Sequence, residues 1–288
     1  MNNRIIILLG QRVRSGTNFV GSTLFQHPNV VTLPLDKSLG EFNLFNDDSI
    51  INDVFDKVVK KSFGMKLSEN ELPIFLENYG KCWLNVLLNK YNVPKNAVIL
   101  LKSPNIFHLD LWLQTFPNAQ ISVICRDGRD NVISSIKSSN SKRSWYTPIM
   151  KLKTRFNYYS GRSFISHTKS WVDTSYYILN IKQTARVKTF KYESLLDSED
   201  NIREMLNHFH LESSPEIILK CINAPVVGSS FGVKTKNLSK PNWFPDYDKS
   251  KYNFTNKWQH WGFFKKTIFK RIAGKALIDL TYEKNSSW

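Results

Sequence analysis

Two short runs of residues carry groups able to grip phosphate. The first is Arg14-Ser15-Gly16-Thr17-Asn18, which follows the apolar run Ile5-Ile6-Ile7-Leu8-Leu9-Gly10 and precedes a helical pattern from Phe19 to Gln26. Backbone N–H groups at a helix start, two small hydroxyls and an arginine suit an anion without a metal. A nucleoside-triphosphate loop has four residues between its glycines and a Lys after the second, with a hydroxyl for magnesium. Here five residues, Gln11 to Ser15, separate Gly10 from Gly16, and no Lys follows. The second run is Arg126-Asp127-Gly128-Arg129-Asp130-Asn131-Val132-Ile133-Ser134, at the end of the apolar stretch Ala119 to Cys125. Arg126 and Ser134 are eight residues apart, about two helical turns. A strand-end arginine and a helix serine so spaced can hold a second, separate phosphate.

Such groups need a frame that aims them at one place. Apolar runs predict strands over 4–10, 30–33, 97–102, 119–126 and 186–191. Helical patterns cover 17–26, 49–61, 70–91, 105–115, 129–139, 162–184 and 198–224, with a last helix from about 254 after a Pro/Gly/Ser-rich loop. Strands alternating with helices predict an α/β fold with a parallel central sheet flanked by helices. Open sheets of that kind bind ligands at the carboxyl ends of their strands, where both runs fall. At 288 residues and 41% hydrophobic, the chain can bury a full core and reads as one domain, with a ligand-binding core over about 1–210 and a helical, basic part over about 211–288.

In order and spacing these motifs resemble the sulfotransferases that use 3'-phosphoadenosine 5'-phosphosulfate (PAPS). Arg14-Ser15-Gly16-Thr17 is similar to the family's 5'-phosphosulfate loop, and Arg126 to Ser134 to its 3'-phosphate motif, Arg-Asp-Pro-Arg-Asp with a following serine. Leu101-Lys102-Ser103-Pro104, Phe116-Pro117-Asn118-Ala119 and Phe190-Lys191-Tyr192-Glu193-Ser194-Leu195 resemble the family's later blocks, while the C-terminal quarter matches loosely. Gly128 stands for the usual proline, which reads as a looser turn that removes no ligand. Asn18 stands where a second threonine is common. The resemblance implies a P-loop-like sulfotransferase fold and PAPS as co-substrate with no metal. It implies cofactor contacts from Arg14, Ser15, Gly16, Thr17, Asn18, Arg126, Ser134, Tyr192 and, more loosely, Ser230 with Ser229. Arg14 and Lys102 become the cations at the transferred group. Tyr192 reads equally as an adenine stack or as core, and Asp127, Arg129 and Asp130 as turn and helix-start residues.

The histidine that cytosolic small-molecule sulfotransferases carry two residues after a lysine is missing, since Ser103-Pro104 follow Lys102. A carboxylate base, as in the glycan and protein-tyrosine branches, is the replacement. Leu35 to Asp47 resembles a degenerate form of the glycan sulfotransferases' Lys-Glu-x-His-Phe-Phe-Asp stretch, which ranks Glu41 first and Asp36 second. An unperturbed Glu titrates near about 4.3, so an efficient base near neutral pH needs burial to raise it. The plain alternative is an exposed loop carboxylate. A carbohydrate hydroxyl is the expected acceptor, with peptide tyrosine as the alternative.

The formal charge of +16 is unevenly placed. Between Asn131 and Val172 stand eight basic residues and no acidic one, interleaved with Trp145, Tyr146, Tyr158 and Tyr159, and Lys249 to Lys275 again holds eight basic residues and none acidic. One anionic cofactor hardly needs so many. The first stretch suits a sugar or anionic glycan, following the resemblance. In Phe263 to Leu277, Phe264, Ile268, Ile272 and Leu277 fall along one helical side beside cations. That segment reads either as lying on an anionic membrane surface or as a docked helix with a basic edge. A nucleic-acid-binding protein would explain the charge but not the two motifs, and a small-molecule kinase lacks its lysine. Cys82, Cys125 and Cys221 are odd in number and scattered, which predicts reduced, buried thiols. Arg4 to Gly10 is too short for a signal or spanning segment, so the expected place is the cytoplasm.

Overall fold

The computed structural model describes residues 3–33, 35, 40–42, 44–45, 53, 71–139, 147–196, 198–227, 245–252 and 254–288. The helix expected over 49–61 lies outside these residues apart from Asp53, as do Asp36, Ser229 and Ser230.

Five strands form the sheet: β1 (Arg4–Gly10), β2 (Val30–Val31), β3 (Val98–Ser103), β4 (Gln120–Cys125) and β5 (Val187–Lys191). Their order is β2-β3-β1-β4-β5, and every pairing is parallel. β1 sits at the centre with Ile6, Ile7, Leu8 and Leu9 fully buried, as expected for a strand covered on both faces. The pleat sends alternate residues to opposite layers. Ile7, Leu9, Ile99, Leu101, Ile121 and Val123 join one core cluster, and Ile6, Leu8, Val98, Leu100 and Ile124 the other.

Nine α-helices are described: α1 (Thr17–Phe25), α2 (Leu72–Tyr91), α3 (Leu109–Thr115), α4 (Gly128–Ser139), α5 (Pro148–Tyr159), α6 (Arg162–Asn180), α7 (Glu199–His208), α8 (Pro215–Ile222) and α9 (Phe263–Asp279). The chain leaving β1 runs through α1 to the β2 edge, and the chain leaving β4 runs to the β5 edge. β1 and β4 are neighbours, so their connections part in opposite directions and leave a crevice at their carboxyl ends, the usual ligand site of such sheets.

The structure differs from the sequence reading in several places. α5 was not expected; its apolar residues alternate with cations, and none of them is buried. The last helix begins at Phe263, not near 254, because Gly262 is its N-cap and Trp261 is extended. Within α9, Leu277 faces inward with Phe269, Ala273 and Ala276, so the outward stripe ends before it. Cys82 is exposed, on the side of α2 away from Leu76, Gly80 and Leu84, while Cys125 and Cys221 are buried.

Candidate active site

The loop after β1 is tightly bonded within itself. Arg14 and Gly16 both adopt left-handed backbone, at φ 75° and 96°, a conformation that costs a non-glycine residue about 1–2 kcal/mol. Ser15 N–H donates to Arg12 O at 3.1 Å, and Ser15 Oγ accepts from Arg12 N–H at 3.2 Å. Ser15 therefore shapes the loop with its side chain. Gly16 caps α1 and is required twice over, since a Cβ there would lie 2.2 Å from the Tyr192 ring. Thr17, also buried, opens the helix, with its N–H among the free donors of that terminus.

The second motif meets this loop at the crevice. Arg14 Nε donates to Ser134 Oγ at 3.0 Å, and Arg126 Nη1 donates to the Arg14 carbonyl at 3.0 Å. The Arg126 guanidinium lies 4.7 Å from the centre of the Tyr192 ring. Tyr192 is itself buried, edge-on to Phe19 at 5.7 Å; its ring backs both Gly16 and Arg126. Among the described residues, Arg126 Nε has no hydrogen-bond partner although it is buried. Leaving such a donor unsatisfied costs about 1–3 kcal/mol or more, and an anion bound in the crevice removes that cost. By this criterion the residues fit a phosphate group.

The other end of the site is built by β3. Lys102 is fully buried at the strand end, and its Nζ donates to Asn18 Oδ1 and stands 3.5 Å from Glu41 Oε1. Residues 40–42 run alongside β3: Lys102 N–H donates to Gly40 O at 2.6 Å, and Phe42 N–H to Lys102 O at 2.9 Å. That pairing, between segments some sixty residues apart in the chain, sets Glu41 beside Lys102. Burial pulls the Lys102 ammonium down to about 8, opposed by the neighbouring Glu41 carboxylate. The burial expected of an efficient base is not found: the Glu41 side chain is 37% exposed, as the plain alternative of an exposed carboxylate has it, because only its backbone is paired with β3.

The acidic residues of the second motif do more than start a helix. Asp130 accepts from the backbone N–H groups of Asn256 and Lys257 at 2.7 and 2.8 Å. Arg129 is paired with Asp127 at 2.6 Å and with Glu283, and its guanidinium lies over Trp258 at 3.8 Å and Trp288 at 4.7 Å. Arg126 Nη2 donates to Phe254 O at 2.6 Å. The motif thus fastens the C-terminal segment over the crevice. That segment delivers Lys257, which is held below the ordinary lysine range first by burial and then by the charge of Arg126, Lys137 and Arg14. Lys257 is a candidate site residue that sequence reasoning left in the general basic surplus. Gly128 has a packing reason too: a Cβ there would meet the Trp171 ring at 2.4 Å, and Trp171 Nε1 donates to Arg126 O at 3.0 Å. It is a close approach rather than a loosened turn.

Arg12 supports the loop from behind. It is buried, with Nη1 donating to Asn131 Oδ1 and His167 O, both at 3.0 Å, and Nη2 to His167 Nδ1 at 3.2 Å. An arginine can only donate, so His167 keeps its proton on Nε2, toward Ser139 Oγ at 3.2 Å. Burial first, then Arg12, push the His167 ring down to about 4, and burial lowers Arg12 to about 10.

Comparison with solved structures places this architecture. A sulfotransferase domain from the curacin biosynthetic pathway shares the fold with a TM-score of 0.50 at 15% identity, over 98% of this chain and 99% of that one. The sulfotransferase domain of the Synechococcus PCC 7002 olefin synthase gives 0.48 at 15% identity over 95% and 94%. Mouse sulfotransferase SULT7A1, solved with 3',5'-bisphosphoadenosine (PAP), gives 0.49 at 11% identity over 96% and 84%. No curated protein sequence matches the chain. The family model described as the sulfotransferase family matches residues 6–215, from the middle of β1 to the start of α8 and through every motif of the crevice; the chain belongs to the sulfotransferase family.

Proposed function

We propose that the chain moves the sulfuryl group of PAPS to a hydroxyl of a carbohydrate, with Glu41 as the base. The observation that carries this reading is the pair Lys102 and Glu41, 3.5 Å apart and joined through Asn18 to the loop that faces Arg126 and Ser134. PAPS supplies an activated sulfuryl group on a 5'-phosphate and a 3'-phosphate handle. Arg126, Ser134 and Lys257 hold the 3'-phosphate, and Arg126 Nε gains its partner there. Gly16, Thr17 and Asn18 present the start of α1 to the 5'-side. Glu41 takes the proton of the acceptor hydroxyl as the oxygen–sulfur bond forms, and the bond from sulfur to the 5'-phosphate oxygen breaks. Arg14 and Lys102 stabilise the charge that gathers on the departing oxygen. A lysine lowered to about 8 is also a competent proton donor to that oxygen near neutral pH.

What favours a carbohydrate is the stretch Leu35 to Asp47, whose resemblance to the glycan sulfotransferases' motif aligns Glu41 with its glutamate. Incubation with radiolabelled PAPS, a panel of neutral and acidic oligosaccharides and a tyrosine peptide tests the assignment. Label in a saccharide is the expected result. Label in the peptide tyrosine alone would move the acceptor to protein, leaving the family and the two ends of the site as described.

A further inference from the structure

We propose that this protein docks on an anionic lipid bilayer through the outer face of α5 together with Phe263 and Phe264. α5 is amphipathic in the inverted sense. Its half-covered residues are the polar Thr154 and Asn157, and none of its residues is buried. Its apolar side chains point the other way: Ile149, Leu152, Phe156 and Tyr159 are 79%, 71%, 57% and 74% exposed. At 3.6 residues per turn these four share an arc of about 80°, with Lys153 about 40° beyond one edge and Arg155 about 40° beyond the other. The second apolar feature adjoins the first. Phe263 and Phe264, 78% and 80% exposed, open α9. They follow Trp261, which packs on Phe164 near the start of α6 at 5.1 Å, while Arg162 at that same helix start lies over Phe156 at 5.2 Å. Both features therefore sit at the N-terminal end of α6.

Charge selects the occupant. The apolar row lies within a stretch, Asn131 to Val172, that has eight cations and no acid, and Lys265 and Lys266 follow Phe264 directly. Apolar side chains rimmed by cations alone match a surface with anionic headgroups over hydrocarbon. A second copy of the chain would bring the same cations against these, a like-charge juxtaposition. A soluble polyanion would engage the cations but has no use for Ile149 and Leu152. No helix among the described residues is long and apolar enough to cross a membrane, so the contact is one of lying on the surface.

The test is co-sedimentation of the full chain with vesicles of phosphatidylcholine and phosphatidylglycerol, against vesicles of phosphatidylcholine alone. The wild-type chain is expected to partition to the anionic vesicles and to be released by salt. The double variant Leu152→Glu/Phe156→Glu is expected to lose about tenfold or more of that partitioning, with melting temperature and PAP affinity unchanged, because neither side chain is buried. Phe263→Ser/Phe264→Ser should lower it by a smaller factor. Four results overturn the proposal. One is no binding of the wild-type chain to anionic vesicles at low salt. Another is undiminished binding by the Leu152→Glu/Phe156→Glu variant. A third is an equal loss of heparin binding by that variant without lipid, which assigns the face to a polyanion. The fourth is a dimer that the same variant dissolves, which assigns it to a second copy.

Discussion

The two ends of the crevice are built differently. At the Arg126 end the groups are braced, with Arg126 Nε left over: Arg126 rests on Tyr192 and on two carbonyls, Ser134 holds Arg14, and Asp130 and Arg129 fasten the C-terminal segment across the opening. At the Lys102 end a fully buried cation faces a carboxylate that is more than a third exposed. The difference matches the demands that the proposed reaction makes on each end. A cofactor handle is best met by a rigid, pre-formed cradle, whereas the base must stay open to an acceptor that arrives later. If that division holds, substitutions at one end alter affinity and substitutions at the other alter turnover.

The largest effect is expected at Lys102. Lys102→Met, which keeps most of the volume, should cut turnover by about a thousandfold or more, with PAP affinity lowered far less and the fold retained; a variant that turns over normally would remove Lys102 from the chemistry. Glu41→Gln should lose about a hundredfold or more in turnover while binding PAP as the wild type does. An unchanged rate would pass the base role to another carboxylate, and a loss of PAP affinity instead would place Glu41 at the wrong end.

A pH profile shows where that division is incomplete, because the Lys102 ammonium also meets the bound anion. Burial leaves the Lys102 ammonium half-titrated near about 8, and an anion bound beside it favours the proton. Affinity for PAP should then be flat below that pH. Above it the free protein has lost a proton that the complex retains, so affinity falls by up to about tenfold per pH unit. Lys102→Met should erase the break, and a break that survives in the variant would belong to another group. The smallest effect is Ser134→Ala, which removes one hydroxyl and should weaken PAP by about five- to tenfold. No change in PAP affinity would displace the 3'-phosphate from Ser134.

The parts of the site legible in the chain are those whose signal is local. An apolar run ending in glycine, followed by hydroxyls and a helical period, announces β1, the loop and α1, and the spacing of Arg126 and Ser134 announces β4 and α4. What escaped has its partner far along the chain. Asp130 bonds backbone 126 and 127 residues away, Arg129 reaches Glu283 across 154, and Gly128 yields its space to Trp171. Nothing in the neighbouring residues marks them as more than a helix start. α5 escaped for a different reason. Its apolar period of three and four is present, but its inward side is polar, so it does not read as a helix docked on a core. Glu41 was legible only through resemblance to a motif; its position beside Lys102 comes from a bridge between segments far apart in sequence.

The most direct test is calorimetric titration of the full chain with PAP and, in parallel, with 5'-AMP, without added metal. Charge-assisted hydrogen bonds from a buried arginine are worth about 1.5–3 kcal/mol, so the 3'-phosphate should make PAP bind about ten- to a hundredfold more tightly than 5'-AMP. Equal affinities, or no binding of PAP at modest salt, would contradict the cradle formed by Arg126, Ser134 and Lys257.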